Sequence, residues 1–404
     1  MSTHSRATPQ SDIAIVGAGP TGLSLACMLA DTGLKITLID TLSHEQLAQP
    51  QMDGRDIALN HASKELLQGM GAWSRIEEQH IHPLNEARVE NGHSPLALEF
   101  RQPHPTDEPL GYLIANHRLR KSLFEQASTS GNIELFTNTE LQSVEPQSHG
   151  VQLILPENNT LSCRLLVAAD SRFSSTRKMM GIGARMKDYG RTMIVCNMRH
   201  EVDHQHTAQE CFHYGHTCAI LPLGPNESSI VITVNAAKAQ ELRQLDAQAF
   251  THVAMNMLNG RLGNMTLASE RYFYPLIGSY ADHFVSSSFA LVGDAAVGMH
   301  PVTAHGFNLG LHSAQILSKH IKRAQKHQRN IAHPRVLKSY ALEHQLMAKP
   351  IYEATNLIVK LFNDERQSAK ILRKTALGLA SHIGPFKKLI SHRLTRHAES
   401  QGFL

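Results

Sequence analysis

The segment Gly17-Ala18-Gly19-Pro20-Thr21-Gly22 constrains this chain more than any other. It follows directly on Asp12-Ile13-Ala14-Ile15-Val16, which reads as a buried parallel strand. Leu23 to Thr32 then reads as a helix closed by Gly33, and Lys35-Ile36-Thr37-Leu38-Ile39 as a second strand ending in Asp40. Strand, G-x-G-x-x-G turn, helix, strand and terminal acid make a βαβ unit built to bind a dinucleotide. Gly17 allows the tight turn, Gly19 lets the pyrophosphate approach the backbone, and Gly22 lets helix and strand pack closely. Asp40 is placed to accept hydrogen bonds from the adenosine ribose. The unit does not separate NAD from FAD.

A second segment makes that choice. The apolar Leu291-Val292 runs into Gly293-Asp294-Ala295-Ala296, then to His300-Pro301, and Gly306 and Gly310 flank the start of a helix. Such an arrangement holds the Asp294 carboxylate beside a ribityl hydroxyl and points backbone N–H groups at an electron-rich ring. The cofactor it predicts is FAD. Between the two segments, Gly54-Arg55-Asp56-Ile57-Ala58-Leu59-Asn60 leads into a short amphipathic helix with Ser63 near its start. Arg55 there either meets phosphate or flavin or forms a surface ion pair, and spacing alone does not decide.

At 404 residues the chain has room for two domains, and 42% apolar with 18% charged residues is ordinary for a soluble protein. No run of eighteen apolar residues predicts a transmembrane helix, and the polar Met1 to Gln10 lacks the apolar centre of a signal peptide. Cys27, Cys163, Cys196, Cys211 and Cys218 are odd in number, and reduced thiols in a cytoplasmic protein are the simplest account. A net charge of +4 is too mild to point to nucleic acid. His204, His206, Cys211, His213, His216 and Cys218 crowd one segment but fit no familiar zinc spacing, so no metal is expected. From Arg366 to Arg396 there is no acid. Arg366, Lys370, Arg373, Lys374, Lys387, Lys388, Arg393 and Arg396 alternate there with apolar residues at roughly helical spacing, interrupted at Gly384-Pro385. This basic amphipathic tail either packs on the core or docks on an anionic membrane surface.

With these residues assembled, the chain resembles the class A flavoprotein monooxygenases, and within them the ubiquinone-biosynthesis hydroxylase family, from roughly Asp12 to Phe362. Gly17 to Gly22 with Asp40 matches the FAD adenosine site. Arg55 with Ala58-Leu59, Ser63, Leu66-Leu67, Gly71 and Trp73 matches a segment whose Arg lies close to the flavin. Leu166 to Arg177, centred on Asp170, matches the A-D-G-x-x-S-x-x-R motif, and Gly293-Asp294 through Asn308 the ribityl motif. Gly111 to Arg118 matches a segment whose polar residue, here Asn116, meets the flavin, and Leu221 to Gly224 matches a turn lying over the flavin face.

The resemblance implies an α/β fold: an FAD-binding Rossmann-like domain of glutathione-reductase type, an inserted mixed β-sheet substrate domain, and C-terminal helices. Residues 11–75, 112–182 and 283–335 would form the FAD domain, 76–111 and 183–282 the substrate domain, and 336–404 a helical region with the basic tail. The apolar runs Met193-Ile194-Val195, Ala219-Ile220-Leu221 and Ile230 to Val234 alternate like strands and fall in the second of these. Implied cofactor residues are Gly17, Gly19, Gly22, Asp40, Arg55, Asn116, Asp170, Asp294, Pro301, Gly306 and Asn308. The chain departs from the family at Ser171 (usually Gly, so an altered turn is expected), at Val297 (often His), at Ala304-His305-Gly306 (usually Gly-Gln-Gly) and at Asp40 (usually Glu).

The implied chemistry is aromatic-ring hydroxylation. NADH or NADPH, bound transiently, reduces non-covalent FAD, O2 forms a flavin C4a-hydroperoxide, and an electron-rich phenol attacks its distal oxygen. A prenylated phenol of the ubiquinone pathway is the expected substrate. His300, His305 and Tyr214 are candidates for activating its hydroxyl. The expected location is cytoplasmic, peripheral at the inner face of the membrane through residues 366–396, within a biosynthetic protein complex. Two other readings stand beside this one: a monooxygenase of a soluble aromatic or secondary metabolite, and a flavin-binding subunit with little turnover.

Overall fold

The computed structural model describes residues 10–92, 97–101, 108–213 and 215–363. Tyr214 and the basic tail at 366–396 lie outside the described residues.

The first strand, Gln10–Val16, sits mid-sheet with parallel neighbours on both sides, Ile36–Ile39 and Thr160–Ala168. That position explains its unbroken apolar character, since both of its faces are covered. Ile133–Phe136 and Phe289–Leu291 extend the sheet in parallel, and Ser143–Gln147 with Gly150–Ile154 adds an antiparallel meander off Thr160–Ala168. The helix after the fingerprint starts earlier than the apolar pattern suggests. It runs Pro20–Leu29, because Pro20 has no N–H to lose at a first-turn position, and Ala30–Thr32 tightens to a 3-10 turn before Gly33.

A nine-stranded mixed sheet carries the rest. Its spine is Ala184–His200, which pairs antiparallel with Glu227–Asn235 on one side and Tyr272–Ala281 on the other, with a register shift between Asp188 and Thr192. All three alternating apolar runs lie in its strands. Helices Ala236–Gln244 and Ala247–Met257 cover one face, burying Ile194, Cys196, Ile220, Ile230 and Ile232. Ser229 and Tyr274 point to the opposite face, toward the first domain. Two short strands cross the domain bounds drawn from sequence. Val297–Gly298 pairs with Ser279 and Tyr280 at the edge of the nine-stranded sheet. His82–Leu84 joins Gly111–Ala115 and Asp56–Leu59 in a separate three-stranded sheet.

Helices Gly306–Lys326 and Pro334–Asn363 close the fold. Tyr340, fully buried, donates its hydroxyl proton to the carbonyl of Leu291 and so ties the last helix to the strand before Gly293-Asp294. Among the described residues no helix is long and apolar enough to cross a membrane. All five cysteines are buried free thiols.

Candidate active site

Two helix N-termini converge here without side-chain caps. The helix Pro20–Leu29 starts at Gly19 and the helix Gly306–Lys326 at His305, and neither has a capping hydrogen bond from its N-cap side chain. Their first N–H groups therefore stay available to an anion. The glycines differ in purpose. A Cβ on Gly22 would fall 2.0 Å from the carbonyl oxygen of Gly17, so that position must stay bare for the turn to close. One on Gly19 would meet nothing within 4 Å, as a cradle open toward a pyrophosphate requires. Gly293 has φ +60, and a Cβ there or on Gly310 would lie 2.8 Å from Thr21 Oγ1. Thr21 thus wedges the fingerprint helix against the Gly-Asp motif. These observations fit a dinucleotide lying across both motifs.

Asp40 ends the second strand. Its Oδ2 accepts from Ala18 N at 2.7 Å and its Oδ1 from Leu42 N at 2.8 Å, which fixes the carboxylate over the fingerprint turn although its side chain is shorter than the usual Glu. Asp294 follows Gly293 with its carboxylate partly exposed, and Arg172 donates to it at 2.9 Å. Pro301 opens a one-turn 3-10 helix and is exposed.

Other expected cofactor residues reach the site through their neighbours. Asp170 accepts from Ser174 Oγ and from Thr176 N at 3.0 Å, capping the helix Ser175–Met179. The buried Arg177 donates to Ala295 O at 2.9 Å and so binds that turn to the Gly-Asp loop. Asn308 donates to Ala58 O (2.8 Å) and Ala304 O (3.0 Å) and accepts from Ser63 Oγ (2.7 Å) and Asn60 N (3.3 Å). It clamps the Arg55 segment onto the helix. Ser63 lies in the first turn of its helix, near the start as the sequence indicates; Asn60 caps His61–Gly69, accepting from Ser63 N, while Ser63 Oγ donates to Asn308.

Of the two roles that the sequence left open for Arg55, the ion pair is present, with Asp53. Its guanidinium is half-exposed and donates to Asp53 Oδ2 at 2.5 Å, and it also lies over the Tyr274 ring. Burial opposes its charge, and Asp53, Tyr274 and Asp294 more than compensate. Asn116 donates to the same Asp53 oxygen at 2.7 Å, and Tyr274 donates to the Asp53 carbonyl. Asp53 and Tyr274 were not among the sequence candidates. Asp53, two residues from Arg55, carried a local charge signal; Tyr274 carried none.

The backbone keeps two departures from the family pattern. Ser171 has φ +72 and Ala304 φ +52, both left-handed, at positions the family gives to Gly. The turn at Ser171, expected to be altered, retains a glycine-type conformation. Of the candidate bases, His300 is buried, accepts from Val302 N through Nδ1, and packs edge-on against Tyr189 with centroids 4.7 Å apart. Burial, with Lys187 and Arg172 nearby, pushes its pKa down to about 4, so it stays neutral. His305 is half-buried at the helix start. The histidine and cysteine segment divides. Cys211 and Cys218 are core residues facing each other on adjacent strands, His213 lies beyond its strand and stacks on His216, and His204 donates from Nε2 to Gly224 O at 2.8 Å.

A family model described as FAD binding domain matches residues 10–355. The chain is 46% identical to the ubiquinone hydroxylase UbiM of Neisseria meningitidis, over 95% of this chain and 84% of that one. It is 32% identical to the ubiquinone hydroxylase UbiL of Rhodospirillum rubrum, over 96% and 89%. Its fold matches the crystal structure of p-nitrophenol 4-monooxygenase PnpA from Pseudomonas putida with a TM-score of 0.78 and 15% identity, over 96% of this chain and 98% of that one. Fold and relatives define an FAD-dependent monooxygenase. The chain belongs to the FAD binding domain family, among the class A flavin monooxygenases of ubiquinone biosynthesis.

Proposed function

We propose that this protein hydroxylates the ring of a prenylated phenol of ubiquinone biosynthesis, converting phenol, O2, NAD(P)H and a proton to the ring-hydroxylated product, NAD(P)+ and water. The observation that carries the reading is 46% identity to a ubiquinone hydroxylase across nearly the whole chain. Bound FAD supplies the redox chemistry, passing two electrons from NAD(P)H to O2 and one oxygen atom to the ring. The chain's residues position and shield it. Gly17 to Gly22 and the first turn of Pro20–Leu29 hold the pyrophosphate, Asp40 the ribose, and Asp294 the ribityl chain beside Arg172. The open N-terminus of Gly306–Lys326 stabilises negative charge on the ring by about 0.3–2 kcal/mol. Purified FAD-loaded protein should oxidise NADH or NADPH faster when a 2-prenylphenol is added, and should place one atom from labelled O2 in the product. No stimulation by any prenylphenol refutes the reading.

The substrate's lipid solubility favours a place at the inner face of the cytoplasmic membrane. The basic residues between 366 and 396 support this, and so does the outward side of Pro334–Asn363, where Leu342, Leu346 and Leu357 stand 59%, 70% and 66% exposed. Protein lacking 366–404 should lose affinity for anionic vesicles; unchanged binding refutes a membrane role for the tail.

A further inference from the structure

We propose that Asp56 takes the proton from the phenolic hydroxyl of the substrate, an inference that rests on the hydroxylase reading above. Asp56 lies between the two halves of the site. It opens the strand Asp56–Leu59, one residue past Arg55 and two before Ala58, whose carbonyl Asn308 holds at the start of the flavin-side helix. Across from it is Ser229 of the strand Glu227–Asn235. Ile230 and Ile232 of that strand turn into the helix-covered core, which leaves Ser229 on the face toward the first domain. The Ser229 hydroxyl is fully buried and acts on the Asp56 carboxyl, yet it makes no hydrogen bond of ordinary geometry. A third oxygen, that of the substrate, would complete the arrangement.

The surrounding charges suit a proton acceptor. Asp53 and Glu227 are the ionisable groups that face Asp56, and each has its own partners: Arg55 and Asn116 hold Asp53, while Asn197 and Arg199 hold Glu227. No cation pairs with Asp56 among the described residues. Burial, with those two like charges added and only Ser229 opposing, raises its carboxyl to about 7. A base poised near neutral pH is the kind that general-base catalysis requires. Another carboxyl that burial raises, Glu210, sits on Thr207–Phe212 of the nine-stranded sheet, two strands beyond Glu227–Asn235 and away from the Arg55 segment. His300 is occupied by Val302 N and is a weak base.

In the step, the phenolic O–H bond breaks, its proton passes to an Asp56 oxygen, and the electron pair stays on the phenolate, enriching the ring carbon that receives oxygen. The proton returns to that oxygen as the hydroxylated carbon releases its own hydrogen to water and the ring regains aromaticity.

The test uses FAD-loaded wild type, Asp56→Asn, Asp56→Glu and Ser229→Ala with 2-prenylphenol and NADH across pH 5.5 to 9, scoring product and hydrogen peroxide per NADH consumed. In the wild type, product formation should rise with pH through one ionisation near neutrality. Asp56→Asn should lose that limb and form product about 100-fold more slowly, with peroxide replacing it, while Asp56→Glu restores part of the rate. Ser229→Ala should move the limb to higher pH, because it removes the group that favours the charged carboxylate. Its readout stands even if Asp56→Asn fails to hold FAD. A wild-type pH profile and product yield in Asp56→Asn, or an unmoved limb in Ser229→Ala, overturns the assignment. Absence of prenylphenol turnover in the wild type itself overturns the hydroxylase reading, and this one with it.

Discussion

Arg172 reaches across 122 residues of chain to place its guanidinium 2.9 Å from the carboxylate of Asp294, while its other nitrogen donates to Ile277 O at 2.7 Å. One side chain therefore joins the Asp170 turn, the ribityl motif and the edge of the large sheet. Both partners are partly exposed, so the pair itself is weak in water and acts mainly to orient Asp294. Replacing Arg172 with Ala should weaken FAD binding by about 3- to 10-fold. Asp294→Ala, which removes a charged acceptor for a ribityl hydroxyl, should weaken it by about 10- to 100-fold. Fluorescence titration of apoprotein with FAD measures both, and equal losses would show that Arg172 does more than orient.

Ser171 and Ala304 hold left-handed backbone without glycine's freedom. An L-residue in that region costs roughly 1–2 kcal/mol, against which glycine loses about 0.5–1 kcal/mol more entropy on folding. Ser171→Gly and Ala304→Gly should each raise stability by up to about 1 kcal/mol. Gly293→Ala should do the opposite, since φ is +60 and Thr21 stands 2.8 Å from where the Cβ would be. Thermal melts of the three variants check the sign in each case.

The nucleotide half of the site was legible because its signals are local. Strand, glycine turn, helix and Asp40 fall within about thirty residues, and each obeys a short-range rule. What was hidden depends on contacts between distant segments. Arg172 carries no mark of Asp294, nor Asn116 of Asp53, 63 residues away. Ser63 is a good capping residue by type, yet Asn60 takes the cap and Asn308, 245 residues on, takes the Ser63 hydroxyl. Asp56 carries no signal of its own in the sequence, because its burial beside Ser229 exists only once the two sheets meet.

His344 is buried in the last helix, between the rings of Tyr340 and Phe284, and neither of its ring nitrogens has a hydrogen-bond partner among the described residues. Burial, with His312 adding repulsion, pushes its pKa down from 6.5 to about 3. The unfolded chain binds that proton more readily. Stability is therefore fully present above about pH 6.5 and declines as pH falls toward 3, by about 2 kcal/mol at pH 5 from this group. His344→Leu should remove the acid sensitivity and add about 1–2 kcal/mol at pH 7 by deleting unsatisfied polar atoms. Denaturant melts at pH 5 and 7 decide it: the gain must be larger at pH 5.

Glu210 should act in the opposite direction. Burial raises its carboxyl to about 8 from 4.5, so the folded state keeps the proton that the unfolded chain gives up. Its contribution is present below about pH 4.5 and is lost as pH rises through 8. Glu210→Gln should leave stability near pH 5 unchanged and raise the melting temperature at pH 8.5. A variant that melts like wild type at both pH values would mean the carboxyl meets water or a cation.

The final prediction concerns the outward side of Pro334–Asn363. Leu342, Leu346 and Leu357 recur on it at spacings of four and eleven, one helical stripe, while Tyr340, His344, Ala348, Tyr352 and Thr355 face the core. Three exposed leucines on one stripe are costly in water, and the basic tail follows the same helix. If stripe and tail meet a bilayer together, replacing the three leucines with Gln removes apolar insertion but leaves the charge. Binding to vesicles containing anionic lipid should then fall several-fold and become more sensitive to salt, as the residual attraction is electrostatic. Unchanged affinity, with the same salt dependence as wild type, would assign the leucine stripe to something other than lipid.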